Sequence, residues 1–212
     1  MKKKIYQLFE GIVLPEDITR ITGNEAIYQF RCGEWLLQIK TFSVEGHSKI
    51  LHRWCNQPYS ARFWAMPGSL EELKAYYHKM VKTFEHAPVM LFCNGQPVGF
   101  ADLYPVWKDI LIKYYKASPN EYGVHFLIAP YKEIFQMFKQ VPKDFSEVLL
   151  WAVLRYLFVQ VGVEKVLAEP DHLNTNACRL AERVGFRFLK YIELPEKKAS
   201  LYIHDKTAFK YQ

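Results

Sequence analysis

The chain has 212 residues, with 28 Lys and Arg against 22 Asp and Glu, and half of its residues are apolar. That length suits one domain or two small ones, and a quarter charged with half apolar is ordinary globular composition, so wholesale disorder is excluded. Eleven Pro and ten Gly are too few for a low-complexity or collagen-like chain.

Five Trp, fourteen Tyr and fifteen Phe suit a dense core or a ring-lined ligand cleft. The formal charge of +6 attracts polyanions, among them nucleic acid, anionic lipid and phosphate-bearing cofactors. The only tight basic runs are Lys2-Lys3-Lys4 and Lys197-Lys198, with no zinc-finger or RNP-like string beside them. Nucleic acid is therefore disfavoured, and a phosphate-bearing cofactor is the sharper reading of the charge. Cys32, Cys55, Cys93 and Cys178 lie far apart without a CxxC, as reduced and mostly buried thiols of a cytoplasmic protein would. Met-Lys-Lys-Lys could open a signal peptide, but Glu10 and Pro15-Glu16-Asp17 interrupt the apolar stretch behind it and no small-residue cleavage site follows. No run approaches the roughly 18–20 apolar residues of a membrane span, so the expectation is a soluble protein without a membrane partner.

Residues 1–24 show no feature that ties them to a function and read as an N-terminal extension. Residues 25–31 and 34–44 alternate apolar with polar around Cys32-Gly33-Glu34, which predicts a hairpin. His52 to Pro58, followed by Phe63-Trp64, is a polar-aromatic stretch too irregular for a strand. Ser69 ahead of Glu71-Glu72 supplies an N-cap and an acidic first turn, predicting a helix to about Lys82. Pro88–Cys93 and Pro97–Tyr104 are two strands joined by Asn94-Gly95, a strong hairpin signal. A near-continuous apolar strand over 123–129 ends at Pro130.

Leu149, Leu150, Val153, Leu154 and Leu157 recur at helical spacing, predicting a helix from about Ser146 to Val161. A short strand over 164–169 ends at Pro170, and a second amphipathic helix runs from Asn174 to Val184, with Gly185 just past its end. Residues 186–193 and 199–204 pair as the last strands. The order predicts one mixed α/β domain over 1–212 with a single central sheet.

Three places carry chemistry. His125 lies within the apolar strand, on the opposite face to Val124 and Phe126. It is either a core histidine satisfied by a carbonyl or a general base near neutral pH. Glu169-Pro170-Asp171 ends the next strand, where ligands bind if the two strands are parallel. Asp171 there either caps the following helix or pairs with His125 as a carboxylate–imidazole site. Asn174-Thr175-Asn176-Ala177, with Gly185-Phe186 beyond, reads as the capping of one helix.

The combination is more specific than its parts. His52-x-Trp54-x-Asn56-x-Pro58 with Phe63-Trp64, Gly99 to Tyr104, Gly123-Val-His125-Phe-Leu-Ile-Ala-Pro130, Glu169-Pro-Asp171 with Asn174, and Leu194-Pro-Glu-Lys-Lys-Ala199-Ser-Leu201 span about residues 50 to 205. On these stretches the chain resembles the GNAT N-acetyltransferases, and among them the branch that acylates N-hydroxylated amines in hydroxamate siderophore biosynthesis. It is similar to the acyltransferases of aerobactin, desferrioxamine and mycobactin assembly.

The resemblance implies an α/β GNAT fold, with a mixed central sheet flanked by helices, and direct acyl transfer from acetyl-CoA or succinyl-CoA without an acyl-enzyme. It assigns the general base to His125, and to Asp171 the support of catalysis and the grip on the acceptor. Glu169, Trp54, Phe63 and Trp64 fall on the acceptor side, where rings would hold a polymethylene chain. The alternative for the three rings is plain packing of helices on the sheet. On the cofactor side fall Phe126, Leu127 and Ile128, whose backbone amides would bind the thioester oxygen, together with Lys132, Lys139, Ser146 and Asn174. The chemistry agrees: an N-hydroxylated nitrogen is neutral at pH 7, and an imidazole of pKa about 6.5 suits the proton it sheds on attack.

Two departures from the family stand out. The Gly-rich CoA pyrophosphate loop is missing between Pro130 and Ser146, where Lys132, Lys139 and Lys143 stand instead. Ala181 occupies the place of a Tyr that protonates the departing thiolate in many relatives. Lys197-Lys198 reads as a solvated pair ahead of a strand, or as the receiver of a succinyl carboxylate. No metal is expected, because the seven His form no ligand set with Cys or carboxylates. The expected partner is a small hydroxylated amine, with a siderophore synthetase downstream and a monomer or edge-paired homodimer as the assembly. The rivals are an aminoglycoside-type N-acetyltransferase, against which the basic charge tells, and a non-catalytic acyl-CoA-binding relative.

Overall fold

The computed structural model describes residues 26–64, 68–83, 86–141 and 143–209. The extension assigned to residues 1–24 lies outside the described residues. Strands β1 (Ala26–Cys32) and β2 (Trp35–Thr41) form the first hairpin, with Tyr28, Phe30 and Cys32 turned inward at every second position. β2 stops at Thr41, short of the expected 44, because Ser43 turns the chain into helix α1 (Val44–Cys55), its hydroxyl accepting from the Gly46 amide. The stretch that looked irregular is thus partly helical. Ser48, Leu51, Trp54 and Cys55 form the buried stripe of α1, and Ser48 within that stripe obscures its period in the sequence.

A short helical turn α2 (Pro58–Ala61) precedes the expected helix α3 (Leu70–Thr83). Strands β3 (Ala87–Cys93) and β4 (Gln96–Pro105) follow, closed by Asn94 and Gly95, both at positive φ as a tight hairpin turn requires. After two short helical turns comes β5 (Glu121–Ile128), antiparallel to β4. A helix that sequence reasoning missed, α4 (Tyr131–Phe138), starts at Pro130. Helix α5 (Phe145–Arg155) widens over Tyr156–Val161 and ends at Gly162, so the expected span holds with a looser last turn. The chain closes with β6 (Lys165–Ala168), α6 (Thr175–Arg183), β7 (Arg187–Glu193) and β8 (Lys198–Asp205). No described helix is long and apolar enough to cross a membrane.

All eight strands join one sheet in the order β1-β2-β3-β4-β5-β6-β8-β7. Phe42, Tyr77 and Trp64 pack around Phe100 on the face that carries α1 and α3, while Trp151 of α5 meets Phe30 on the other. The parallel pair β5–β6 is linked through α4 and α5, as a parallel connection needs a long crossover.

That pair is short. It spans Glu121↔Lys165, Tyr122↔Val166 and Gly123↔Leu167, after which β6 ends at Ala168 while β5 continues along β4 to Ile128. Residues 124–128 therefore border a notch in the sheet. At its apex Gly123 has no room for a side chain, since a Cβ would lie 2.0 Å from the Tyr104 ring. Tyr104 is fully buried and hydrogen-bonded, so it cannot swing aside. Gly123→Ala should lower stability by about 1–3 kcal/mol; an unchanged midpoint in urea denaturation would show that the two strands do not need this contact.

Candidate active site

The register across the notch decides which groups meet. On β4 and β5, Asp102 stands opposite His125 and Tyr104 opposite Gly123, so all share one face of the sheet. The bare Gly123 lets the Tyr104 ring lie toward His125, with ring centroids 4.8 Å apart. On the other side Leu167 pairs with Gly123, and two residues further along the same face Glu169 comes level with His125.

His125 Nε2 lies 2.5 Å from Glu169 Oε1, and Tyr104 Oη donates to Oε2 at 2.7 Å. Lys197 Nζ stands 3.8 Å from Oε1. The Glu169 side chain is 4% exposed and that of His125 37%, so a sealed carboxylate backs an imidazole that opens to solvent. An ionised carboxylate only accepts, so Nε2 carries the hydrogen and Nδ1 is left to take a proton.

Charge follows from this geometry. Burial pushes the Glu169 carboxyl upward, but His125, then Lys197 and the Tyr104 hydroxyl, outweigh it and bring the pKa down to about 2. Burial alone would depress His125, yet the Glu169 carboxylate, helped by Asp102 and opposed by Lys197, holds it above its ordinary 6.5. Burial, reinforced by Glu169, keeps the Tyr104 phenol protonated and hence a donor.

The carboxylate brought to His125 is therefore that of Glu169 and not of Asp171, with which sequence reasoning paired it. Asp171 lies two residues on, where the parallel register has moved past His125. Its Oδ1 accepts from the Leu173 amide at 2.8 Å and lies 3.5 Å from His172 Nδ1. It closes the turn before α6, and Asn174 caps that helix by accepting from the Ala177 amide at 3.1 Å. Glu169, placed beforehand on the acceptor side, is the buried hub instead.

Of the three expected pocket rings, only Trp64 reaches this centre, 6.2 Å from the His125 ring. Trp54 is fully buried, and its indole N–H donates to Glu133 at 3.1 Å, so it ties α1 to α4 and reaches no open surface. Phe63 is partly buried beneath the Arg62 guanidinium. Sequence reasoning gave no role at the centre to Tyr104, Lys197, or the pair His86–Asp102, in which Nδ1 lies 2.8 Å from Oδ2. The residue facing Tyr104, Gly123, was the one available signal.

Backbone groups border the notch. Ala129 N–H donates to Val98, so by antiparallel alternation Leu127 and His125 turn their amides to β4, whereas Phe126 and Ile128 turn theirs to the notch. The Ile128 carbonyl accepts from Tyr59 Oη at 2.5 Å, as that direction requires. The amides open to a ligand here are thus those of Phe126 and Ile128, while that of Leu127 is spent on the sheet. Lys132 is exposed in the first turn of α4, Lys139 is exposed at its C-terminal end with φ +58, and Ser146 is the second residue of α5. The Phe126 and Ile128 amides fit the oxygen of a thioester lying in the notch, whereas Lys139 lines a hollow with Glu34, Trp35 and Asn94 at the ends of the first two hairpins. Among the described residues no group of three or more His, Cys, Asp or Glu could hold a metal ion.

The acetyltransferase (GNAT) domain family matches residues 43–194. The lysine N-acyltransferase MbtK of Mycolicibacterium paratuberculosis is 26% identical over 161 residues, covering 76% of this chain and 70% of that protein. The N-hydroxyputrescine acetyltransferase of Acinetobacter baumannii is 25% identical over 153 residues, covering 72% of this chain and 70% of that protein. Among solved structures, aminoglycoside acetyltransferase AAC(6')-Ib in complex with coenzyme A shares the fold with a TM-score of 0.69 at 20% identity, over 81% of this chain and 96% of that one.

The His125–Glu169 pair has a pH signature. Glu169 is held below its ordinary 4.5, so its share of stability is complete above that value and is lost as pH falls toward about 2. His125 is held above 6.5, so its share is complete below 6.5 and is lost as pH rises through the folded value. Denaturation across pH should show the stability gap between wild type and Glu169→Gln widest from about 4.5 to 6.5 and narrowing on either side; a gap constant with pH would dissolve the pair.

Proposed function

We propose that this chain, which belongs to the GNAT acetyltransferase family and is an acyl-CoA-dependent acyltransferase, acylates the hydroxylated nitrogen of an N-hydroxydiamine or N6-hydroxylysine to give a hydroxamate. The observation that carries this reading is the His125–Glu169 pair, with Nδ1 left as an acceptor beside an open notch. The names of the two sequence relatives point to amine acceptors, in one of them hydroxylated.

Bound acyl-CoA supplies the acyl group activated as a thioester. The Phe126 and Ile128 amides would hold its oxygen, while Lys132 and Ser146, with Asn174 at the start of α6, would lie toward its phosphates. A hydroxylated nitrogen arrives neutral and sheds one proton as it attacks, and His125 Nδ1 takes that proton. Glu169 keeps the Nε2 hydrogen bond throughout and stabilises the imidazolium; with a pKa of about 2 it does not itself take the proton. It is a positioning residue rather than a second base. Trp64 walls the acceptor beside His125, and Asp171 is the acidic group beyond Glu169 that would grip it. With Ala181 buried on α6, the thiolate departs without a side-chain acid there, which a thiol of pKa about 8.5 tolerates. The reaction belongs in the cytoplasm with its acyl-CoA, and the hydroxamate would pass to a synthetase that joins it into an iron chelator. The partly exposed edge strand β7, with Phe188 and Tyr191 outward, leaves a homodimer open beside a monomer.

The test is CoA release with acetyl-CoA and succinyl-CoA against N-hydroxycadaverine, N6-hydroxylysine, cadaverine and kanamycin. Turnover should be confined to the hydroxylated acceptors, and His125→Ala should cut kcat/KM by about 10²–10⁴-fold. The acid limb of kcat/KM should have its midpoint above 6.5 and move down in Glu169→Gln. Turnover on kanamycin alone would replace this reading with the aminoglycoside one.

A further inference from the structure

Lys197 sits on the turn between β7 and β8, held by reciprocal backbone hydrogen bonds with Leu194 at 2.9 and 3.3 Å. Its neighbour Lys198 points outward to Glu193 and lies over the Tyr191 ring. Lys197 points inward: its side chain is 17% exposed, and its ammonium stands 3.8 Å from Glu169 Oε1. That is the oxygen His125 approaches at 2.5 Å, while Tyr104 occupies the other. At 3.8 Å the contact is one of charge and not a direct hydrogen bond.

Two cationic groups thus face one buried oxygen. With Glu169 alone, a protonated His125 would complete a neutral ion pair and leave no nitrogen free to act as a base. With Lys197 on the same oxygen part of the carboxylate charge is already met, and a second proton on His125 gains less from it. We propose that Lys197 is a positioning residue that competes with His125 for the charge of Glu169 and so weakens the hold of the imidazole on a second proton. The inference rests on the reading of His125 as the base.

The other groups around His125 act on the same balance. Asp102 on β4, with Oδ2 2.8 Å from His86 Nδ1, favours the imidazolium. Asp109, before β5, is a half-buried carboxyl that desolvation pushes up and that also senses Glu169 and His125. Tyr104 remains neutral, and Trp64 contributes no charge. Among these, Lys197 is the cation opposing protonation.

The experiment is an NMR titration of the His125 ring in histidine-labelled protein without substrate, its signal assigned by loss in His125→Ala. Lys197→Met, with Lys197→Gln as a second neutral variant, should raise the midpoint by about half a unit to one unit, and Lys197→Arg should hold it near wild type. Asp102→Asn should move it the opposite way. A midpoint that stays or falls in both neutral variants, or that rises as far in Lys197→Arg, overturns the proposal. The acid limb of kcat/KM should follow the NMR midpoint. If the NMR midpoint rises while the acid limb stays, the coupling stands and His125 is removed as the base.

Discussion

A carboxylate sealed from water is an expensive group to keep, costing several kcal/mol unless its lone pairs and charge are met. Glu169 is such a group, and its partners come from three different parts of the sheet: His125 from β5, Tyr104 from β4, and Lys197 from the β7–β8 turn. Each partner depends on a separate feature of the fold. His125 needs the parallel register of β5 with β6, Tyr104 needs the bare Gly123 beside it, and Lys197 needs the β7–β8 turn that aims it back at Glu169. The strand order places the three side by side, and Glu169 in turn fixes which nitrogen of His125 is free.

The notch beside this cluster has its origin in a mismatch of strand lengths. β6 is four residues long and ends before Pro170, while β5 is eight residues long and pairs with β4 from Tyr122 to Ile128. The unmatched half of β5 keeps a ladder on one side and turns the Phe126 and Ile128 amides outward on the other. Unpaired backbone groups in a crevice call for a ligand with complementary polar atoms. In this chain α4 follows where a glycine cradle is usual, tied back to α1 by Arg53 and Trp54 through Glu133. The ring that looked like a pocket wall is thereby a strut.

Most of the elements were legible in the sequence because they obey local rules. Asn94-Gly95 announces its hairpin, Ser69 with Glu71-Glu72 its helix, and Gly185 the end of α6, each through backbone conformation or capping within a few residues. The helices missed, α1 and α4, have short stripes in which polar or aromatic residues blur the period. Asp171 attracted attention because it stands between a strand and a helix, which is a local signature, and local is what its hydrogen bonds proved to be. Lys197 was hidden by its twin, since nothing in a pair of lysines says which one faces inward.

Sequence alone determined the kind of protein: the α/β order, the single sheet, the family resemblance, and His125 as the group to examine, because each depends on residue type and short-range spacing. The tertiary structure alone decided what His125 touches. Glu169 and Asp171 are two residues apart and chemically alike, and only the register of β5 against β6 brings one level with the imidazole and carries the other past it. The same holds for Tyr104 and Lys197, whose contacts with Glu169 cross 65 and 28 residues of chain. Burial, the free nitrogen and the balance of charge all follow from those long-range meetings, which no pattern within one segment encodes.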